Sequence, residues 1–216
     1  MWSRRMAAAA LAALAAVGAS GVQAQGRTVE IPLKKLFPYL EPYLSLPPQA
    51  RSKFVMVYRM EVQGAAPSAV TLTYPGGGVV PIAADGRVRR LPTLSMLQAN
   101  GKAVAAAPKG SKVGVDLALE PVMQPAADLE ARELSLAVTQ AAAGAKKAAG
   151  VFGFAVPKFD RVVFKGAAGG QAIRADGSAV ALPVVKGDPV FEPARHGGAV
   201  RLRFARPPSR MTIGGG

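Results

Sequence analysis

The sequence predicts a mostly β protein in which two similar antiparallel, sandwich-like β modules are joined by one α-helix. Three observations predict this class: short segments that alternate apolar and polar residues, one long helical segment between them, and a sequence element that occurs twice. Half of the 216 residues are hydrophobic, so the chain has enough apolar material to bury a core. We expect five segments, at residues 1–24, 25–52, 53–122, 123–150 and 151–216.

Segment 1–24 has the features of a signal peptide. Arg4 and Arg5 precede a run rich in alanine and leucine, and small residues lead to Ala24. The run is shorter than the roughly 20 residues that a membrane-spanning helix needs, and no later segment comes closer. We expect cleavage after Ala24, export to the periplasm and no transmembrane segment in the mature chain. The alternatives are a twin-arginine export route and a buried or amphipathic N-terminal helix.

Segment 25–52 is predicted to form a Pro-rich amphipathic arm. Its apolar residues recur at helical spacing, but Pro38 and Pro42 interrupt any continuous helix, so we expect short helical turns. The arm either packs on the body of its own chain or docks on a partner. The candidate docking residues are Leu36, Phe37, Tyr39, Leu40 and Tyr43.

The first β module is predicted from residue 53 to residue 122. Its alternation begins at Phe54, and turn-forming residues such as Asp85-Gly86 separate one apolar-polar segment from the next. Many short strands at such spacing are typical of a sandwich or a barrel. The further candidate strands are residues 69–74, 79–83, 87–91, 103–107 and 112–119.

One convincing helix is predicted at residues 125–149, between the modules. Acidic residues, among them Asp128 and Glu130, come early, and lysines come late, which complements the helix dipole. Gly150 is well placed to end the helix. Its stripe of small residues predicts that it covers a sheet.

The second module, residues 151–216, repeats an element of the first. Residues 78–92 match residues 169–183 at a constant offset of 91, and both copies contain Ala-Asp-Gly. Two related β modules are the simplest interpretation, although a shared hairpin rule would also produce this pattern twice.

The charge is the feature most relevant to function. The formal net charge is +14, and 25 basic against 13 acidic residues remain after residue 24. We expect basic β faces that meet an anionic lipid, lipopolysaccharide or an acidic envelope protein; the alternative is a solvated surface that keeps the protein soluble. An exported chain without a nucleic-acid motif is not expected to bind nucleic acid. The candidate anion-contacting residues are Arg87, Arg89, Arg90, Arg201, Arg203 and Arg206.

Few residues are available for catalysis. The absence of cysteine excludes disulfides, thiolate metal sites and cysteine nucleophiles, and His196, the only histidine, is predicted to be an exposed loop residue. No spacing singles out a carboxylate pair or an activated serine, so we expect no catalytic residue, no cofactor and no metal. The predicted function is that of an exported non-catalytic binding or accessory protein. The alternatives are a small periplasmic hydrolase with its site between the modules, and an assembly partner that docks through residues 31–48.

Overall fold

The structure, a computed structural model, describes residues 27–149 and 158–215, so the predicted signal peptide lies outside the described residues. The protein is mostly β, as the sequence predicts, with several antiparallel sheets and, among the described residues, four helices. The chain divides into two compact units. Unit 1 consists of the described residues up to Leu44 together with Val57–Leu117, and unit 2 consists of Ser45–Met56 and the described residues from Ala118 onward.

Unit 1 is built from an antiparallel sheet and three short helices. The elements in chain order are β1 (Arg27–Pro32), α1 (Leu33–Leu36), α2 (Leu40–Leu44), β2 (Phe54–Gln63), β3 (Thr71–Thr73), α3 (Leu94–Gln98), β4 (Lys102–Ala107) and β5 (Lys112–Pro121). The sheet has the strand order β1-β4-β3, and both outer strands pair with the central strand in antiparallel register. Strands β2 and β5 begin in one unit and end in the other.

The predicted arm supplies part of the core of unit 1. Pro38 separates α1 from α2, and Pro42 lies in the first turn of α2, where its missing N–H is not needed. Phe37 is fully buried and packs edge-to-face on Tyr58 and Tyr74, with ring centroids 5.1 and 6.0 Å apart. The arm residues of unit 1 therefore pack on their own chain.

Two features of unit 1 differ from the sequence expectation. Residues 79–83 and 87–91, both predicted as strands, form none, because Val79, Ile82, Arg87 and Val88 take part only in isolated backbone bridges. Helix α3 was not expected from the apolar pattern. It begins at Thr93, whose hydroxyl accepts a hydrogen bond from the N–H of Met96 at 3.3 Å, as an N-cap residue does.

Unit 2 contains the other sheets and the long helix. Its elements in chain order are β6 (Asp128–Glu130), α4 (Ala131–Ala149), β7 (Arg161–Lys165), β8 (Gln171–Arg174), β9 (Ala179–Ala181), β10 (Val184–Val185), β11 (Asp188–Phe191), β12 (Ala199–Arg203) and β13 (Arg210–Gly214). One sheet has the strand order β6-β12-β8-β9, and a second has the order β10-β11-β7-β13-β5-β2. Residues 118–121 of β5 and 54–56 of β2 belong to this unit.

Helix α4 covers strands β7, β12 and β13 with its buried face, which includes Leu134, Val138 and Ala141. It begins at Ala131, six residues later than the sequence suggests. The residues before it form strand β6 instead, because Asp128 and Glu130 face arginines across the antiparallel pair β6–β12.

The two Ala-Asp-Gly elements form hairpins, which we call the first hairpin (residues 79–91) and the second hairpin (residues 170–182). In each, a three-residue loop ends in a glycine with positive φ, at +81° for Gly86 and +82° for Gly177. The aspartate does not adopt positive φ; its side chain accepts the N–H two residues ahead, at 3.1 Å for Asp85 and 2.9 Å for Asp176. We call residues 86–91 and 177–182, which follow the turns, the return arms.

Candidate anion-binding site

Arg201 and Arg203, two of the predicted anion contacts, form ion pairs within unit 2. The Nε atoms of Arg201 and Arg203 lie 2.7 and 3.2 Å from the two carboxylate oxygens of Asp128, and Glu130 lies 3.7 Å from Arg201. The hydrogen bond from Arg201, followed by that from Arg203, holds the pKa of Asp128 below its ordinary value. This predicted basic face therefore carries its own counter-ions.

The other four predicted anion contacts lie on loops and in the first hairpin. Arg206 donates from Nε to the carbonyl of Gly166 at 2.9 Å, and Arg90 donates to the carbonyl of Gly78 at 3.0 Å. The backbone of Arg87 forms an antiparallel β-bridge with that of Arg59 in β2, and Arg89 is exposed. Arg87, Arg89 and Arg90 belong to unit 1, and Arg206 belongs to unit 2 with Arg201 and Arg203.

Four of the five candidate docking residues are buried in unit 1. Leu36, Phe37, Leu40 and Tyr43 are at most 9% exposed, whereas Tyr39 is 66% exposed. The hydroxyl of Tyr58 donates to the carbonyl of Pro38, and burial raises the pKa of Tyr58. In this fold these four candidates are core residues, and Tyr39 is the candidate that a partner could contact.

His196 is buried, whereas the sequence suggested an exposed loop residue. Its ring packs against Phe191 with centroids 5.6 Å apart, and its Nδ1 lies 2.9 Å from the carbonyl oxygen of Glu192. The backbone N–H of His196 donates to the same carbonyl, which closes the turn 192–196. The histidine therefore holds the loop between β11 and β12.

A shallow hollow next to His196 brings together two arginines that the sequence did not single out. The hollow has a volume of about 20 Å³, and its lining includes exposed Arg174 of β8 and exposed Arg195 of the β11–β12 loop. Among the described residues neither guanidinium has a carboxylate within 4.0 Å, although the charge of Arg174 helps to lower the pKa of Asp176. The other lining residues are Ala172, Val180, His196 and Ala199.

No sequence signal points to this pair. Strands β9, β10 and β11 lie between Arg174 and Arg195 in the sequence. The two residues line the same hollow because β8 pairs with β12 in the register Ala199↔Arg174. The hollow is far smaller than the roughly 300 Å³ of a typical small-molecule pocket.

Almost all acidic residues of unit 2 form ion pairs, so arginines such as those of the hollow are left without a carboxylate among the described residues. Within unit 2, every acidic residue except Asp176 lies within 4.0 Å of a lysine or arginine nitrogen, and Asp176 is engaged by Ser178. The unit nevertheless has more basic than acidic residues. Its basic residues that have no carboxylate partner in the described structure are Arg132, Lys146, Lys147, Lys158, Arg174, Arg195 and Arg206.

A larger cleft of about 180 Å³ in unit 2 is lined in part by Ser52, Lys53 and Glu133. The Nζ of Lys53 is held by Glu133 at 2.7 Å, and the hydroxyl of Ser52 donates to the carbonyl of Gln49. The serine therefore does not donate to a base, as an activated nucleophile would.

In the described ranges 27–149 and 158–215, no group of three or more His, Cys, Asp and Glu side chains is arranged to hold a metal ion. No helix in those ranges has the length and apolar character needed to cross a membrane. Compared with protein-family models, curated proteins and solved structures, the chain matches none. The functional argument therefore depends on the geometry and charge of the described residues.

Proposed function

We propose that the protein is exported, loses residues 1–24 by cleavage after Ala24, and acts in the periplasm as a non-catalytic binding or accessory protein. Its ligand is an anionic component of the cell envelope: an anionic lipid, lipopolysaccharide or an acidic envelope protein. The arginine pair, apolar run and small residues before position 25 support export.

The observation that carries the proposal is the pairing of acids in unit 2. Because the carboxylates are already engaged, the excess positive charge remains on arginines and lysines without a carboxylate partner in the described structure. The electrostatic field of this excess charge raises the encounter rate with anions and weakens as salt is added. Because Arg201 and Arg203 are paired with carboxylates, we assign the anion contacts to the basic residues without such a partner in the described ranges.

We further propose that the two β modules are an internal repeat. The support is the shared register of the hairpins, in which Ile82↔Val88 and Ile173↔Ala179 are paired at the offset of 91. Beyond the hairpins the strand pairings differ, since β3 pairs with β4 whereas β7 pairs with β11 and β13.

Co-sedimentation with vesicles tests the proposed function. The full chain is expressed with its own N-terminus, purified, and mixed with phosphatidylglycerol-containing or neutral phosphatidylcholine vesicles over a salt series. We expect binding to the anionic vesicles alone and its loss at high salt. The N-terminal sequence of the purified protein reports at the same time whether cleavage follows Ala24.

Two matched double variants show which charges matter. Lys146→Gln/Lys147→Gln removes two charges of α4 that have no described carboxylate partner, and we expect it to weaken binding about thirtyfold. Arg201→Gln/Arg203→Gln removes the same formal charge from paired residues and should cost less. Equal binding to neutral vesicles, or a larger loss with the Arg201/Arg203 variant, would contradict the proposal.

A further inference from the structure

The two hairpins differ in what lies beside their return arms. In the first hairpin, β2 occupies this place: the N–H of Val88 donates to the carbonyl of Tyr58 at 2.9 Å, and the carbonyl of Gly86 accepts from Met60 at 2.8 Å. In the second hairpin, the equivalent residues are Ala179 and Gly177. Strand β9 is the last strand of its sheet, so no described strand occupies the equivalent place.

The register of the second hairpin shows which backbone groups face this open side. The N–H of Arg174 donates to the carbonyl of Ser178, and the N–H of Leu182 donates to the carbonyl of Gly170, so both are hydrogen-bonded residue pairs. In an antiparallel pair, hydrogen-bonded and non-hydrogen-bonded residue pairs alternate, so Val180 also turns its backbone groups toward β8. Ala179 and Ala181 therefore direct their N–H and C=O groups outward.

The outer surface of β9 is apolar and uncharged. Ala179 and Ala181 are exposed, and Val180 is 41% exposed. The opposite edge of the same sheet, strand β6, carries Asp128 and Glu130, which is how proteins commonly protect an edge from pairing. Strand β9 has no such protection and is open to an added strand.

The chemistry of the added strand follows from the charges beside β9. Val180 lines the same hollow as Arg174 and Arg195, so the side chain opposite Val180 on an added strand would lie on the face of both guanidiniums. An acidic side chain there would supply the carboxylate that both arginines lack, and arginine–carboxylate bonds are among the stronger hydrogen bonds in proteins. Asp176, the nearby carboxylate, is held by the N–H and hydroxyl of Ser178. A second copy of this chain is a poor occupant, since pairing β9 with β9 would bring two basic hollows together.

We propose that the open edge of β9 binds an extended acidic peptide segment of another protein, antiparallel to residues 177–181, as β2 lies along Gly86–Val88. The segment accepts from the N–H of Ala179 and donates to the carbonyl of Gly177. Its acidic side chain, opposite Val180, binds Arg174 and Arg195. This inference deepens the proposed function, on which it rests, by naming the anionic ligand of one site.

The test is a titration of the full chain with three blocked heptapeptides of alternating threonine and valine. Each peptide carries one central residue, which is glutamate, glutamine or lysine. We expect the glutamate peptide to bind most tightly and to shift the backbone amide NMR signals of residues 177–181. The lysine peptide should bind most weakly.

Two variants distinguish the contribution of the strand edge to peptide binding from that of the arginines. Ala179→Pro removes the outward N–H, and proline is accepted on an edge strand whose N–H faces solvent. It should weaken every peptide about tenfold. Arg195→Gln should abolish the advantage of glutamate over glutamine. The control Lys102→Gln removes one charge from a surface pair with Glu30 and should change neither result.

Several outcomes would overturn the proposal. The glutamate peptide could leave the amide signals of residues 177–181 unshifted, or the three peptides could bind equally well. The folded variant Ala179→Pro could bind the peptides as tightly as the wild type does, or the wild type could form a dimer that this variant dissociates. Amide shifts caused by phosphatidylglycerol vesicles and by none of the peptides would make this edge a lipid contact instead. Vesicle binding that persists in Ala179→Pro, together with no peptide binding, would leave the proposed function standing without this site.

Discussion

The first and second hairpins have the same turn and different surroundings. In both, the residue before the loop donates across it at 2.9 Å, from Ala83 to Arg87 and from Arg174 to Ser178. The loop glycine then donates back, at 2.8 Å for Gly86 and 3.0 Å for Gly177. A short sequence motif is thus sufficient to specify a turn down to its hydrogen bonds.

The surroundings of the two turns depend on residues far away in sequence. A Cβ atom at Gly86 would overlap the carbonyl of Met60, because β2 lies against the first return arm, whereas nothing lies within 4 Å of a Cβ at Gly177. Val88 is buried, and its counterpart Ala179 is exposed. The same turn therefore serves as an internal packing element in unit 1 and as an open edge in unit 2.

The largest expected difference between the hairpins is in their glycines. Both Gly86→Ala and Gly177→Ala place a side chain at positive φ, which costs about 1–2 kcal/mol. Gly86→Ala also forces a Cβ into the backbone of β2, which adds about 1–3 kcal/mol. Urea denaturation should show the larger loss of unfolding free energy for Gly86→Ala. Equal losses would mean that β2 does not lie against the first return arm.

The aspartates should differ by a smaller amount. Asp85 has a second role, since Arg59, only 7% exposed, lies 3.6 Å from it. Asp85→Asn keeps an acceptor for the turn but removes the charge beside Arg59, and we expect it to cost at most about 1 kcal/mol of unfolding free energy because Asp85 is largely exposed. Asp176 has no buried arginine beside it among the described residues, so Asp176→Asn should cost less than Asp85→Asn in the same urea experiment. A larger effect at Asp176 would contradict this assignment.

The smallest expected difference concerns the pKa values of the two aspartates. Both lie below the ordinary value of 3.8, Asp85 mainly through the backbone N–H of Arg87 and Asp176 mainly through the hydroxyl of Ser178. Ser178→Ala should therefore raise the pKa of Asp176, whereas Arg87→Ala keeps its backbone N–H and should leave that of Asp85 low. NMR titration of the carboxyl carbons measures both values.

The same pKa shifts determine the effect of acid. A carboxyl with a lowered pKa stabilises the fold above its unfolded pKa, and this contribution is lost as the pH falls through the folded pKa. Ser178→Ala should therefore reduce the change in unfolding free energy between neutral and acidic pH, and Arg87→Ala should not. The reverse order would show that the hydroxyl does not hold Asp176.

The sequence was sufficient for features that depend on local chemistry. The β class, both Asp-Gly turns and a long helix with late lysines follow from alternation, turn residues and dipole complementarity. Gly150, which the sequence predicts to end that helix, lies outside the described residues. Helix α3 was missed because a five-residue helix capped by Thr93 leaves little periodicity to detect.

Features that depend on strand pairing could not be read from the sequence. Arg201 and Arg203 looked like a free basic face, and only their register opposite Asp128 and Glu130 shows that they are paired. Arg174 and Arg195 meet for the same kind of reason. Leu36 and Phe37 were candidates for docking because amphipathic spacing describes a core face and a partner face equally well.

Amide hydrogen exchange at Val88 and Ala179 tests the central comparison most directly. The N–H of Val88 is bonded to Tyr58 and should exchange slowly, whereas the outward N–H of Ala179 should exchange fast and slow down when the glutamate heptapeptide is added. Equal protection at both positions without peptide would contradict the account, because it would show that the edge of β9 is already occupied.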